Sequence, residues 1–404
     1  MMELLAPAGG LRQLKAALRF GADAVYGGLR RFGLRSAASN FDWDELREAL
    51  RLAHSAGKRF YLTLNILPYD EDLESMISDA EKASAMGIDG AIVSDIGALS
   101  LLRKACPDLP LHVSTQANVM NSAAAEVFVR MGASRIVLSR ELSLDRIAAI
   151  RKRLPPDVQL EAFVHGAMCM SHSGRCMLSD YLTGRSANKG SCAQPCRYEY
   201  TVLEAKRPDE PMPVLEDERG TYIFSAYDLN MLGFLPEMRQ AGIASLKIEG
   251  RMKTDYYVAS ITRVYRFALD RLAESEEAYR SALPELQKEL LKVSHRKSNT
   301  GFYFGDPHPA SGAEHTLFTM NYLGRIIDSR EGYMTVEVKN RFQIGDRLEV
   351  LSPSGVHEFT LSRITLTETG EELRKATIAG QKVEIPVSFK ASPGDYLRGQ
   401  NLTE

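Results

Sequence analysis

The chain has 404 residues, 44% hydrophobic and 25% charged, with a formal net charge of -2. That near-neutral balance gives no global basic field, so any nucleic-acid contact must use a local basic face, and the lack of low-complexity tracts implies a folded chain. The opening MMELLAPAGG has no basic stretch followed by a long apolar one, and no apolar run could span a bilayer. This predicts a cytoplasmic protein, with no membrane contact, whose thiols stay reduced.

From the N-terminus a short unit recurs to about residue 250. A helical stretch ends in a glycine, and an apolar run with strand character follows: FGADAVYGG (Gly21), AGKRFYLTLN (Gly57), MGIDGAIVSD (Gly87), MGASRIVLSR (Gly132) and AGIASLKIEG (Gly242). Glycine suits the left-handed residue past a helix end because it lacks the Cβ that would clash there. ELLAPAG, LHVSTQAN and QLEAFVHG complete eight candidate strands, whose unbroken apolar character fits a parallel sheet buried on both faces. Eight such units predict an α/β fold: a TIM-like (β/α) barrel over residues 1–300, with an open doubly wound sheet as the alternative. TYIFSAYDL (221–229) reads as a ninth strand, so the Cys-rich region after residue 167 is an insertion or a distorted barrel segment.

Six apolar runs close on a polar residue: Asn65, Asp95, Gln116, Arg140, His165 and Glu249. Buried strands rarely end so unless those ends line a site, and barrel sites sit at that face. Beyond the helical YRSALPELQKELLKVSH and a boundary near 300–315, period-two runs such as YMTVEVKN and HEFTLSRITL predict a small antiparallel C-terminal β-barrel or sandwich over 316–404.

Four of the five cysteines, Cys169, Cys176, Cys192 and Cys196, lie in one stretch with the spacing C-x6-C-x15-C-x3-C, while Cys106 stands apart. Reduced thiolates repel one another unless a cation or cluster holds them. Zinc knuckles pair cysteines two to four residues apart, which only Cys192 and Cys196 satisfy, whereas iron–sulfur clusters tolerate wider spacing. Iron–sulfur, zinc and four unligated thiols are the readings in that order. Gly166, Gly174, Gly184 and Gly190 allow tight wrapping, and Arg175, Arg185, Lys189 and Arg197 supply either counter-charge or substrate contacts.

The run Glu161, Phe163, His165, Gly166, Ala167, Cys169, Ser173, Gly174, Arg175, Cys176, Ser179 resembles the signature of the collagenase-like peptidase family U32, as does the opening ELLAPAG with GADAVYGG. NKGSCAQPCRYEY, SLKIEGRMK and HRKSNTGF resemble its subgroup of prephenate-dependent tRNA uridine hydroxylases. The resemblance implies a TIM-like barrel with a 4Fe-4S cluster on Cys169, Cys176, Cys192 and Cys196. It also implies conversion of wobble uridine in the tRNA anticodon loop to 5-hydroxyuridine, with prephenate as co-substrate.

A dicarboxylate needs two cationic anchors. Arg35, Arg140, Lys247 and Arg251 are the candidates, each with an ion pair to Glu141 or Glu249 as its structural alternative. Gln116 and Asn65 are further substrate-binding candidates, and His165, Arg140 and Glu249 the catalytic ones. A lone histidine such as His165 is more often structural. GRMKTDYY and SHRKSNTGFYF place Tyr256, Tyr257, Phe302 and Tyr303 among cations, a candidate RNA surface, and the terminal β region is a candidate grip on the tRNA arm. The second reading, a collagenase-like peptidase, finds no HExxH helix and no G-x-S-x-G elbow. A cluster-bearing scaffold without catalysis is the third.

Overall fold

The computed structural model describes residues 1–35, 38–169, 171–197, 216–217, 220–221, 227–305 and 317–400. Seven parallel strands follow the N-terminus, each from an expected run: β1 (Glu3–Pro7), β2 (Ala24–Gly27), β3 (Arg59–Leu64), β4 (Gly90–Val93), β5 (Leu111–Val113), β6 (Ala133–Val137) and β7 (Gln159–Ala167). Two short pairs come next, β8 (Glu216–Asp217) with β9 (Gly220–Thr221), then β10 (Asp228–Asn230) antiparallel on β7. The eighth barrel strand, β11 (Ser245–Ile248), pairs in parallel with both β7 and β1 and closes the cylinder. The open doubly wound alternative is thereby excluded. Of the run at 221–229, only its end enters the sheet, as β10, which also carries β12 (Ser298–Asn299); residues 222–226 lie outside the described residues.

Helices α1 (Leu11–Arg19), α2 (Trp43–Ser55), α3 (Asp70–Ala85), α4 (Ile96–Ala105), α5 (Ser122–Arg130) and α6 (Leu144–Arg153) follow the first six strands. The short α7 (Leu178–Thr183) lies in the cysteine segment, and α8 (Leu235–Gln240), α9 (Asp255–Glu274) and α10 (Glu276–Leu290) complete the layer. The helix-ending glycines Gly21, Gly57, Gly87, Gly132 and Gly242 all take positive φ, from 65° to 100°. Leu4, Leu14, Leu46 and Leu62 are fully buried, each contributing about 1.5–3 kcal/mol. No helix among the described residues is long and apolar enough to cross a membrane.

The C-terminal domain begins with β13 (Met320–Arg330) and β14 (Tyr333–Val338), the centre of an eight-stranded antiparallel sheet. Its end strands, Val356–Thr360 and Glu372–Leu373, are not paired with each other among the described residues. The domain is fastened by ions as well as by apolar packing. Arg398, fully buried, lies 2.6 Å from Glu349 and 2.5 Å from Glu289 of α10, and Arg19 of α1 meets Asp395 at 2.5 Å.

Tyr256, expected to contact RNA, is instead buried and stacked on Tyr322, ring centroids 5.1 Å apart. Tyr257 and Tyr303 are buried too, the Tyr303 hydroxyl donating to the Phe163 carbonyl at 2.6 Å. Amphipathic α9 turns the Tyr256 and Tyr257 rings into the core, so of the four expected rings only Phe302 is partly exposed.

Candidate functional site: a cation-rich cavity at the barrel mouth

A cavity of about 200 Å³ opens where the barrel strands end. Cys169, Cys176, Cys192 and Cys196 all line it. No disulfide joins them, and all four are exposed or half-buried, whereas Cys106 is buried elsewhere. Their segment is tied to the barrel at several points. Asn188 brackets Cys176, accepting from its N–H and donating to its carbonyl, both at 3.3 Å. Leu67 N–H reaches the Asn188 carbonyl at 3.1 Å, and Lys189 pairs with Asp72. Gly190 has a φ of 90°, and a Cβ there would sit 2.7 Å from the Gly33 carbonyl, so only glycine lets the segment press this close.

Ser173, in left-handed backbone at φ 45°, donates from N–H and hydroxyl to Glu141, each at 2.5 Å. Glu141 is therefore occupied by Ser173 and is not an ion partner of the candidate cations. Among the described residues, no three His, Cys, Asp or Glu side chains stand close enough to share one metal ion.

The charged residues expected at strand ends divide into three groups. Lys247, on β11, turns inward and lies 2.7 Å from Glu161; Glu161 meets Arg135 at 2.9 Å, and Arg135 meets Glu3 at 2.7 Å. This buried ion chain fills the barrel interior below the cavity. Burial alone would raise the Glu161 pKa, but Lys247 and Arg135 hold it below the ordinary carboxylate value.

Glu249 sits at the cavity wall, 3.4 Å from Arg35 and 3.9 Å from Arg140. Burial pushes its pKa upward, yet the surrounding Arg35, Arg140, Arg251 and Lys247 leave it lowered and ionised at neutral pH. Arg140 also donates to the Ala167 carbonyl at 3.0 Å and lies 4.0 Å from the Phe163 ring centre. Arg35 carries a left-handed φ of 129°, and the Cys169 and Cys192 sulfurs lie within its electrostatic reach.

Arg251 is the third case. It is buried, bonds to Thr63 at 3.0 Å and to Asn40, and forms no ion pair with any carboxylate among the described residues. Its Nε has no hydrogen-bond partner among the described residues. Burial lowers its pKa to about 10, so it remains cationic at neutral pH. A Cβ on Gly28 would sit 2.6 Å from its Nη2, so glycine makes room for the guanidinium.

Gln116 and Asn65 also line the cavity. Gln116 donates to the Gly174 carbonyl at 3.3 Å, but its Oε1 has no hydrogen-bond partner among the described residues; Asn65 accepts from Leu34 N–H at 3.2 Å. Asp95 does not join them: it caps α4, accepting from Ala98 N–H at 2.8 Å. His165 is not part of the lining either. It is buried against α9, with Nδ1 3.5 Å from the Tyr265 hydroxyl, and burial pushes its pKa down to about 4. The cause is a bulge, since Lys247 pairs with Phe163 but Ile248 pairs with His165. The slip displaces His165 from the inward face that Glu161 and Phe163 occupy.

Two residues that hold Arg251 escaped the sequence reading. Thr63 could have been found, because it alternates with Tyr61 on β3 and with Asn65 just beyond its end. Asn40 carried no such signal.

These features define a closed (β/α) barrel with a cation-rich, thiol-lined mouth, followed by an antiparallel β domain. Residues 9–312 match the model of peptidase family U32, and residues 319–398 match the family's C-terminal domain. The chain belongs to that family. It is 36% identical to tRNA hydroxylation protein P of Escherichia coli over 95% of this chain and 93% of that protein. It is 34% identical to tRNA hydroxylation protein P1 of Bacillus subtilis, over 98% and 94%. A protein named Collagenase, from Porphyromonas gingivalis, is 32% identical over 98% and 97%.

Proposed function

We propose that this protein is a tRNA-modifying enzyme that converts wobble uridine in the anticodon loop to 5-hydroxyuridine, with prephenate as co-substrate. Kinship over nearly the whole length with proteins named for tRNA hydroxylation supports the reaction class. One structural observation carries the rest: the cavity lined by the four cysteines also holds Arg251, a buried guanidinium with no carboxylate partner among the described residues. Such a group favours an anion, and a carboxylate suits its paired donors.

The site fits a 4Fe-4S cluster. All four cysteines line one cavity, a donor set that suits such a cluster, and their wide sequence spacing suits it better than a zinc knuckle. Cys169, Cys176, Cys192 and Cys196 would hold it, and bound there it would supply electron transfer or Lewis acidity. The chain's own groups do the remaining work. Arg251 binds one carboxylate of prephenate, and Arg35 and Arg140, held loosely by Glu249, receive the other. Gln116 and Asn65 orient the bound groups through their amides. Glu249 is the ionised group in the cavity wall that accepts a proton. Lys247, neutralised by Glu161, sets the floor of the site. A wobble base is already unpaired, so drawing it into a cavity costs only a few kcal/mol.

The peptidase reading gathers less. Ser173 donates its hydroxyl to a carboxylate rather than to an imidazole, and thiolates engaged with a cluster are unavailable for acyl transfer. The test is nucleoside mass spectrometry of tRNA from cells lacking the gene. Loss of 5-hydroxyuridine and its derivatives, restored by the wild-type gene, is the expected result; undiminished levels without a second homologue would refute the assignment.

A further inference from the structure

The helix beside the cysteines has two unlike sides. α7 turns Leu178 into the cavity lining and buries Ser179 completely, whereas Met177 and Tyr181 are 80% and 87% exposed. These two are four residues apart and so share one face. Leu182 is exposed beside them, and Tyr69 is exposed where the cysteine segment meets the barrel, with the Lys189 ammonium 3.8 Å from its ring centre. Asn188, next to Lys189, is bonded to Cys176, next to Met177, which ties the Tyr69–Lys189 pair to the start of α7.

Large apolar side chains gathered at a cavity rim point to a partner. The local charge says which kind. Residues 171–197 carry Arg175, Arg185, Lys189 and Arg197 against the single carboxylate Asp180, in a chain whose net charge is -2. Arg175 and Arg185 flank α7, and each uses Nε on a backbone carbonyl, Gln116 at 2.7 Å and Ser191 at 3.1 Å. Neither forms an ion pair with a carboxylate among the described residues. Flat rings with flanking unpaired cations are what a single-stranded nucleic acid needs: stacking for its bases and neutralisation for its phosphates.

We propose that Tyr181 of α7 and Met177 at its N-cap, with the Tyr69–Lys189 pair, form a platform on which unpaired RNA bases beside the target nucleotide stack while the target enters the cavity. The platform rests on the RNA reading above and adds to it the surface that selects an unpaired loop over a duplex. Arg175 and Arg185 hold the phosphates on either side.

The experiment uses the full-length, anaerobically purified protein and fluorescently labelled RNA. A stem–loop with an unpaired loop is compared with a fully paired duplex of equal length. Tyr181→Ala weakens stem–loop binding by about 5-fold to 150-fold, the range of one lost base–aromatic stack, and leaves duplex binding unchanged. Tyr181→Phe, which keeps the ring, retains wild-type affinity. Arg185→Ala lowers the dependence of log affinity on log salt by about one unit. Stem–loop affinity that is unmoved by Tyr181→Ala while the wild type binds RNA overturns the platform alone. A wild type whose self-association, and not whose RNA binding, is lost with Tyr181→Ala overturns it too. A wild type that binds neither RNA overturns the reading on which the platform rests.

Discussion

Lys247 and Glu161 face each other across 2.7 Å inside the barrel, both nearly sealed from solvent. Arg251, a few residues further on, is as deeply buried and has no carboxylate within ion-pair reach among the described residues. Two cations from one short stretch therefore have different work. The first holds the fold, and the second awaits an anion.

Lys247→Met leaves Glu161 with only Arg135 for charge compensation. Breaking a buried pair this way costs about 3–5 kcal/mol, so a clear fall in thermal and denaturant midpoints is expected. Arg251→Gln removes no existing ion pair, so its midpoint falls less. Its loss appears instead in calorimetric titration with prephenate, as a weakening of about 30-fold or more.

His165 makes a prediction about pH. Its folded-state pKa of about 4 lies below the ordinary value of 6.5. Between those values the unfolded chain takes up a proton that the folded chain refuses, so stability falls as pH drops from 6.5 towards 4. The loss is about 3 kcal/mol at most. A His165→Gln variant, compared by urea unfolding across that window, has a flatter profile. His165 also adds no titration step near neutrality to the pH–rate curve.

Glu161 and Glu249 give the acidic limb. Both have folded pKa values below their unfolded ones. Their stabilising contribution is therefore complete above the unfolded carboxylate value and lost as pH falls through the folded one. Glu249→Gln removes part of that acid sensitivity, measured by the same unfolding series.

Gly190→Ala places a methyl group 2.7 Å from the Gly33 carbonyl in left-handed backbone. Strain of about 1–3 kcal/mol follows. It falls on the cysteine segment, so iron retention after anaerobic purification drops while far-ultraviolet circular dichroism keeps the barrel signature. Cys176→Ser acts more directly and removes most iron and acid-labile sulfide together.

The barrel was legible because its signals are local. Five of the eight strands announce themselves by an apolar run after a helix-ending glycine such as Gly87 or Gly132, the other three by the apolar run alone, and no distant partner is needed to read them. The convergence of four cysteines on one cavity was likewise legible, since their crowding in one segment beyond β7 leaves few other places for them. The division of labour among cations was not. Arg251 is held by Thr63 and Asn40, 188 and 211 residues away, and the missing carboxylate is a property of the folded neighbourhood. His165 was misplaced by a one-residue bulge that no period-two count detects. The aromatic rings read as an RNA surface went into the packing of α9, where burial outweighs exposure for Tyr256 and Tyr257.

The central claim is that the thiols and the buried guanidinium belong to one working site. Its most direct test is mass-spectrometric detection of 5-hydroxyuridine in undermodified tRNA incubated with the anaerobically purified protein. Product that forms only when prephenate is supplied, and is lost with either Arg251→Gln or Cys176→Ser, is the predicted result. Equal product from wild type and Arg251→Gln, or product that is indifferent to prephenate, would contradict it.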